Sequence, residues 1–278
     1  MSAFITATNI SEAWLRTLEC ARAAAGGRRV HLVTAITNPT AEIPEVRSLL
    51  DAFLADRREQ TTETVAETIF PSSLYQDPGF DWEPGLPATQ EDVLNAAAVD
   101  LYESYVDMLP MVLSVPINSR GTYFSRMITW PGKEEGGTNQ LELRIERLRS
   151  LARNNTRTNN TLDIDVAADA LEPPLAGVQV YKVTDQRTRS FPCLTHIDLT
   201  LFQGSLHCTA VYRHQYLVKK AYGNLVGLAA LMQFLCQQGG CELGELVVHA
   251  TLADAERHSG TDQLISNVEA TLAPAVTV

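Results

Sequence analysis

One segment of the sequence combines a cysteine and an arginine in a way that could carry chemistry. In RSFPCLTHIDLTLFQGSLHCTAVYRH, Cys193 directly follows Pro192 where an alternating, hairpin-like run begins, and Arg213 lies at the end of that run. A thiol reacts as its thiolate, which forms near neutral pH only where a positive charge stabilises it. An arginine facing the thiol across a hairpin would supply that charge and could also bind a phosphate. The pattern predicts a nucleophilic cysteine; an inert core thiol and a surface arginine are the alternatives.

An asparagine and two histidines offer further chemistry near this cysteine. Asn224 lies in YGNLVGLAALM, at the start of a long apolar run, where it could cap a helix or read the edge of a base through its carboxamide. A different arrangement would pair Cys193 with His196 or His214 as in a hydrolase. His196 comes three residues after the cysteine, so the alternation of a strand directs it to the opposite face. The hydrolase is therefore the weaker hypothesis.

These residues need a scaffold, and the apolar periodicity predicts one made of helices and strands. Helical patterns cover residues 11–25, 43–59, 90–109, 139–154, 217–238 and 261–273, and the segment 217–238 is apolar enough to be buried. Strand-like patterns cover residues 30–37, 160–169, 177–185 and 244–252, besides the hairpin itself. Residues 121–130 are interpreted as a strand or an extended segment, 131–137 as a turn and 70–87 as a long loop. This order of elements predicts a single α+β domain over residues 1–278.

Composition limits the class of protein and the kind of partner. The formal net charge of −11 and the pI of about 5.0 argue against general binding to nucleic acid through phosphate contacts. No apolar run approaches the roughly 18 residues of a membrane span, and the start MSAFITATNISEAW lacks the features of a signal peptide. We therefore expect a cytoplasmic protein with no membrane partner. The five cysteines contain no CxxC pair, so neither a disulfide framework nor a metal site is predicted.

The segment that begins at Pro192 resembles the catalytic half of the thymidylate synthases. That family carries Pro-Cys in a hairpin, an arginine at the hairpin's end, an asparagine that opens a buried helix, and a Gly-(Asp/Glu)-Phe-Val strand. Pro192, Cys193, Arg213, Asn224 and residues 244–247 match these features without gaps. Weaker similarity covers residues 14–54 and 121–168, including GTYFSRMITWPG. The resemblance implies the thymidylate synthase-like fold, a mixed sheet with a long buried central helix, and a homodimer.

The resemblance also implies roles for individual residues in a reaction at C5 of a pyrimidine nucleotide. Cys193 would add to C6 of the base, Arg213 would lower the pKa of the thiol and hold a phosphate, and Asn224 would read a uracil-like base. Arg157 would reach the phosphate in a neighbouring subunit. The other candidate substrate ligands are Arg126, Asp198, His214 and Tyr216.

Several positions differ from the family and favour an altered substrate, or a protein that has lost the reaction. Asp198 replaces a glutamine, His214 a serine and Tyr216 an aspartate, and Asp254 and Glu256 replace the pair that binds the sugar hydroxyl. An insert near residues 60–120 has no counterpart in the family, and we expect no C-terminal segment of the kind that covers folate. Folate, the family's cofactor, is accordingly expected to bind weakly or not at all. The alternative to an enzyme is a non-catalytic nucleotide-binding or structural protein that retains the fold.

Overall fold

The chain folds into helices and strands that belong to two compact units. The computed structural model describes residues 2–118, 121–130, 137–159, 162, 164–165 and 192–273. The first unit, hereafter the terminal unit, comprises Met1–Ala66, Val211–Ala229 and Glu245–Val278. The second, hereafter the central unit, comprises Glu67–Ala210 and Ala230–Gly244. Helices together with a mixed sheet give the α+β class that the sequence predicts.

The helices and strands are numbered along the chain. The helices are α1 (Ile10–Arg22), α2 (Pro44–Ala55), α3 (Thr62–Ala66), α4 (Ala88–Ser114), α5 (Tyr123–Ile128), α6 (Gln140–Arg153), α7 (Tyr222–Gly239) and α8 (Thr261–Leu272). The strands are β1 (Ala3–Ala7), β2 (Arg28–Ile36), β3 (Ile164–Asp165), β4 (Leu194–Phe202), β5 (Ser205–Tyr212), β6 (Gln215–Tyr216) and β7 (Glu242–Asp254). A π-helical turn, Leu217–Ala221, leads into α7. No helix in the described ranges is both long enough and apolar enough to cross a membrane.

The sheet of the terminal unit has β2 between β1 and β7. β1 runs parallel to β2, with Ala3 opposite Leu32, and β7 runs antiparallel to β2, with Ala250 opposite Leu32. β6 pairs in parallel with the end of β7. The crossover from β1 to β2 is α1, whose buried Trp14, Leu18 and Ala21 recur at helical spacing on one face. That face supplies the apolar surface that the helix buries.

The central unit contains the hairpin on which Cys193 was predicted to lie. β4 and β5 are joined by Gln203 and Gly204, whose φ values of 54° and 91° are the left-handed pair of a tight two-residue turn. On β4 the side chains alternate, with Ile197 and Leu199 buried and those between them half-buried. β3 pairs antiparallel with β4, so that Ile164 lies opposite Ile197. The hairpin prediction is confirmed.

α7 is buried over most of its surface, as its apolar sequence predicts. The buried side chains include Leu225, Leu228, Leu231, Phe234 and Leu235, which cover about half of the helix circumference, whereas Gln233 is exposed on another face. A helix of this kind is stable only when other elements cover its apolar faces. The predicted helix over residues 217–238 begins later than expected, because its first five residues form the π-helical turn.

The segment 121–130 is a helix and not the predicted strand or extended segment. Thr122 starts α5 with a reciprocal pair of hydrogen bonds: its hydroxyl accepts from the Ser125 N–H, while the Ser125 hydroxyl accepts from the Thr122 N–H. Such a capping pair favours a helix despite the β-branched and aromatic residues around it. The sequence also missed β1 and α3. Residues 131–136 and the predicted strand at 177–185 lie outside the described residues.

Candidate functional site

The eight predicted site residues are divided equally between the two units. The central unit contains Cys193, Asp198, Arg126 and Arg157, and the terminal unit contains Arg213, His214, Tyr216 and Asn224. The contacts that these residues make within their own unit determine their possible chemical roles.

Cys193 lies one residue before β4, and its backbone is held by a tyrosine. The Tyr123 hydroxyl accepts hydrogen bonds from the backbone N–H of Cys193 at 3.2 Å and of Leu194 at 3.3 Å. Leu194 is fully buried, whereas Cys193 keeps part of its surface in solvent. The preceding residue, Pro192, has no N–H to donate and a restricted φ. Tyr123 and Pro192 therefore fix the backbone of Cys193, while the residue itself stays partly exposed.

The electrostatics around Tyr123 link it to two of the predicted site residues. Burial raises the pKa of Tyr123 to about 12, and the negative charge of an ionised Cys193 is the next largest cause. The charge of Arg126, one turn further along α5, lowers this pKa. The structure thus brings Cys193, Arg126 and a phenol that stays protonated to one place. Tyr123 was not among the predicted site residues, although it lies in the GTYFSRMITWPG segment of weaker resemblance.

Cys208, on the partner strand of the hairpin, is in a different environment. It is buried, and burial followed by the charge of Asp198 raises the pKa of its thiol to about 12. Almost none of this thiol is ionised at neutral pH, so it is an inert core residue. In the described part of the chain, no group of three or more His, Cys, Asp or Glu side chains is placed to hold a metal ion.

Asp198 and His196 share one face of β4. Both are half-buried, and the buried Ile197 between them points to the opposite face. The Asp198 carboxylate accepts a hydrogen bond from the Thr200 hydroxyl at 3.2 Å. A contact of either side chain with a substrate remains a prediction.

Arg157 is bound to the turn of the hairpin. Its guanidinium donates to the Gln203 carbonyl at 3.0 Å, and the Gly204 N–H donates to the Arg157 carbonyl at 3.0 Å. A Cβ at Gly204 would lie 2.7 Å from the end of the flexible Arg157 side chain, which can move, so the φ of 91° is the stronger reason for glycine at this point. Arg157 is exposed, and its contact with a partner's phosphate remains a prediction.

In the terminal unit, His214 and Tyr216 lie beside a buried carboxylate. Their rings are 4.4 Å apart, and Nε2 of His214 is 3.4 Å from Oδ2 of Asp254. The same oxygen accepts a hydrogen bond from Nε of Arg28 at 2.8 Å. Asp254 is buried and therefore depends on these partners for stabilisation. Its carboxylate is already engaged within the protein.

Glu256 is engaged in a similar way at the start of the π-helical turn. It accepts hydrogen bonds from the backbone N–H of Val218 at 2.9 Å and of Lys219 at 3.3 Å. Burial raises the pKa of Glu256, and these hydrogen bonds partly offset that effect. The Lys219 ammonium in turn pairs with Glu59 at 2.5 Å. Both acidic residues at the sugar-binding position of the family thus have partners within the chain.

Asn224 is a buried polar side chain in the first turn of α7. It is 5% exposed, and the hydrogen bonds among the described residues include none made by its carboxamide. Its position inside the helix, after the π-helical turn, excludes the role of a cap. Its carboxamide atoms are not fully buried, so they can be hydrated when no ligand is bound. Arg213, in contrast, is exposed just after β5.

A comparison with known proteins gives one indication of the class. No protein-family model matches the chain. A protein of Methanothermobacter marburgensis named "Putative thymidylate synthase" is 25% identical over 117 residues. The match covers 42% of this chain and 44% of the relative, so the chain spans less than half the length of the relative that it matches. The name of this relative is that of the family that the sequence resembles.

Proposed function

We propose that the protein is a thymidylate synthase-like enzyme that acts at C5 of a pyrimidine nucleotide, with Cys193 as its nucleophile. The observation that supports this most strongly is the setting of Cys193, a partly exposed thiol before β4 whose backbone is held by the Tyr123 hydroxyl. A core cysteine such as Cys208 needs no such support. The similarity to the archaeal relative favours the same class of reaction.

In the proposed reaction, the Cys193 thiolate adds to C6 of a uracil-like base. The S–C6 bond forms, the C5–C6 double bond is lost, and the electron pair moves through C5 towards O4, which makes C5 nucleophilic. C5 then takes up a proton or a one-carbon unit. Loss of the proton originally on C5 and expulsion of the thiolate restore the double bond. Tyr123 positions the thiol, and it is a protonated phenol at neutral pH because its pKa is about 12.

Asn224 is proposed to recognise the base. A uracil edge presents a carbonyl acceptor beside an N–H donor, and a carboxamide offers the complementary pair. The burial of Asn224 and the lack of a hydrogen-bond partner among the described residues support this role. The Asn224→Ala variant should lose roughly tenfold in affinity for a uracil nucleotide, since two such hydrogen bonds are worth about 1–3 kcal/mol together.

A nucleotide-binding protein without the reaction is the second candidate. The observation that favours it is the engagement of Asp254 with Arg28 and of Glu256 with the backbone, at the family's sugar-binding position.

The homodimer that the resemblance implies, with Arg157 reaching the phosphate in the partner, is also part of the proposed enzyme. It would sediment as a species of twice the 30.5 kDa chain mass.

The deciding experiment is covalent trapping by 5-fluoro-2′-deoxyuridine 5′-monophosphate, followed by intact mass measurement. The wild-type protein and the Cys208→Ser control should gain the mass of one nucleotide, and Cys193→Ser should gain none. Release of tritium from C5 of the unfluorinated nucleotide should fall on the order of 10³-fold or more in Cys193→Ser. Calorimetric binding without adduct or tritium release would favour the second candidate. An adduct on any other cysteine would overturn the assignment of the nucleophile.

A further inference from the structure

The C-terminal end of α7 brings two cysteines together through its backbone. The Cys236 carbonyl accepts hydrogen bonds from the N–H of Gly240 at 2.9 Å and of Cys241 at 3.2 Å. Gly240 has a φ of 72°, which is the left-handed conformation that ends many helices. In this type of helix end, the side chain three residues before the cap and the one two residues after it commonly touch. Here those two side chains are Cys236 and Cys241.

The two cysteines lie side by side at the helix end and differ in their surroundings. A hydrogen bond with Cys241 is the largest cause that raises the pKa of Cys236, and burial is the second. The Cys236 thiol also lies 3.4 Å from the Glu242 carbonyl, to which it donates. Cys236 is buried, whereas Cys241 keeps part of its surface in solvent. The pair thus consists of one accessible thiol and one protected thiol directly behind it.

The backbone around this pair has little freedom to separate the two thiols. A Cβ at Gly239 would lie 2.7 Å from the Leu148 side chain, and a Cβ at Gly240 would lie 2.6 Å from the Trp82 ring. The backbone N–H of Trp82 also donates to the Gln237 carbonyl at 2.8 Å. The connection between the cysteines is therefore packed against the rest of the central unit, and this packing keeps the two residues adjacent at the helix end.

We propose that Cys236 and Cys241 form a redox-responsive dithiol that peroxides convert into a disulfide. The Cys241 thiolate attacks one oxygen of hydrogen peroxide, the O–O bond breaks, and sulfenic acid and water form once a proton is taken up. The Cys236 sulfur then attacks the sulfenic sulfur, loses its proton and expels a second water. Two thiols are oxidised and one peroxide is reduced to two waters. This site is separate from Cys193 and does not depend on the proposed reaction there.

The geometry assigns an order to the two steps. The exposed Cys241 meets the oxidant first, because thiol oxidation follows exposure and thiolate character. Cys236 acts as the resolving thiol because the helix end places it beside Cys241, and its raised pKa makes this the slower of the two steps. The resulting bond is partly exposed at Cys241, and exposed disulfides are the ones that reductants reverse more easily.

The test uses the whole protein treated with a small excess of hydrogen peroxide and then with an alkylating reagent. The expected result is a mass loss of two hydrogens, two fewer alkylated thiols, and a non-reduced peptide in which Cys236 and Cys241 are linked. A phosphine reductant should restore both thiols. The Cys241→Ser variant should show no mass loss, while the matched control Cys20→Ser, which removes another partly exposed thiol, should retain it.

Two outcomes would overturn the proposal. One is an oxidised wild-type protein that carries sulfenic or sulfinic acid on Cys241 with Cys236 still alkylatable after denaturation. The other is a disulfide that links a different pair of cysteines. If Cys236→Ser fails to fold because the residue is buried, Cys241→Ser alone decides the matter, since Cys241 is partly exposed and tolerates replacement more easily.

Discussion

Replacing Tyr123 by phenylalanine should loosen the start of β4. The substitution keeps the ring and removes the hydroxyl that accepts from the N–H groups of Cys193 and Leu194. A buried donor left without an acceptor costs about 1–3 kcal/mol. The Leu194 amide faces that full cost because the residue is fully buried, whereas the amide of the partly exposed Cys193 can turn to water and loses roughly 1 kcal/mol. The expected loss in the free energy of unfolding is therefore about 2–4 kcal/mol.

The assay combines urea unfolding with hydrogen exchange at the Leu194 amide. A loss of about 2 kcal/mol in local stability should speed that exchange roughly 30-fold. Tyr105→Phe is the matched control, because the Tyr105 hydroxyl bonds the Thr122 side chain and no amide of β4. It should cost about 1 kcal/mol and leave the exchange of Leu194 unchanged. Equal effects of the two variants on Leu194, or no effect of Tyr123→Phe, would refute the idea that this hydroxyl anchors the thiol's backbone.

Two further predictions concern a buried acid and a crowded turn. Burial raises the pKa of Glu256, so the folded state holds this proton to a higher pH than the unfolded state does. The stability of the wild type relative to Glu256→Gln should therefore fall as the pH rises from about 4.5 through the raised pKa. Thermal unfolding measured across this pH range would contradict the prediction if the curves of the two proteins were parallel. Gly240→Ala should cost roughly 2–5 kcal/mol, since it meets Trp82 as well as an unfavourable φ. Gly79→Ala, with a φ of 80° and nothing within 4 Å, should cost only about 1–2 kcal/mol, and equal costs in urea unfolding would show that the crowding at Gly240 is harmless.

The elements that the sequence predicted well are those with a strong local pattern. The alternation through Ile197 and Leu199 identifies β4, and the largely apolar sequence of α7 identifies a buried helix. α5 was interpreted wrongly because its β-branched and aromatic residues suggested a strand. The pairing of Thr122 with Ser125 that starts it is visible as a T-x-x-S spacing, but a serine at the last position is a weaker signal than glutamate or glutamine.

Only those candidate site residues whose type is unusual in its sequence context could be predicted from the sequence. Cys193 and Asn224 stand out in the sequence because a thiol behind a proline and an amide in an apolar run are unusual. The contact between Tyr123 and Cys193 joins residues 70 positions apart, and no periodicity reveals such a pair. The ion pair of Asp254 with Arg28 spans 226 positions and was equally invisible. Interactions of this kind depend on how distant segments meet, which a local pattern does not encode.

The pairing of β2 with β7 has a consequence for how the chain acquires its structure. β1, α1 and β2 are neighbours in sequence and can meet early, but His31 of β2 and His249 of β7, whose rings are in contact, are 218 positions apart. Contacts between such distant positions slow folding, because a long loop must close before they form. During synthesis, β2 emerges from the ribosome long before β7, so one edge of β2 stays unpaired until β7 has been made. An open strand edge on a nascent chain is a site for mispairing, so the yield of folded protein should depend on chaperones that cover it.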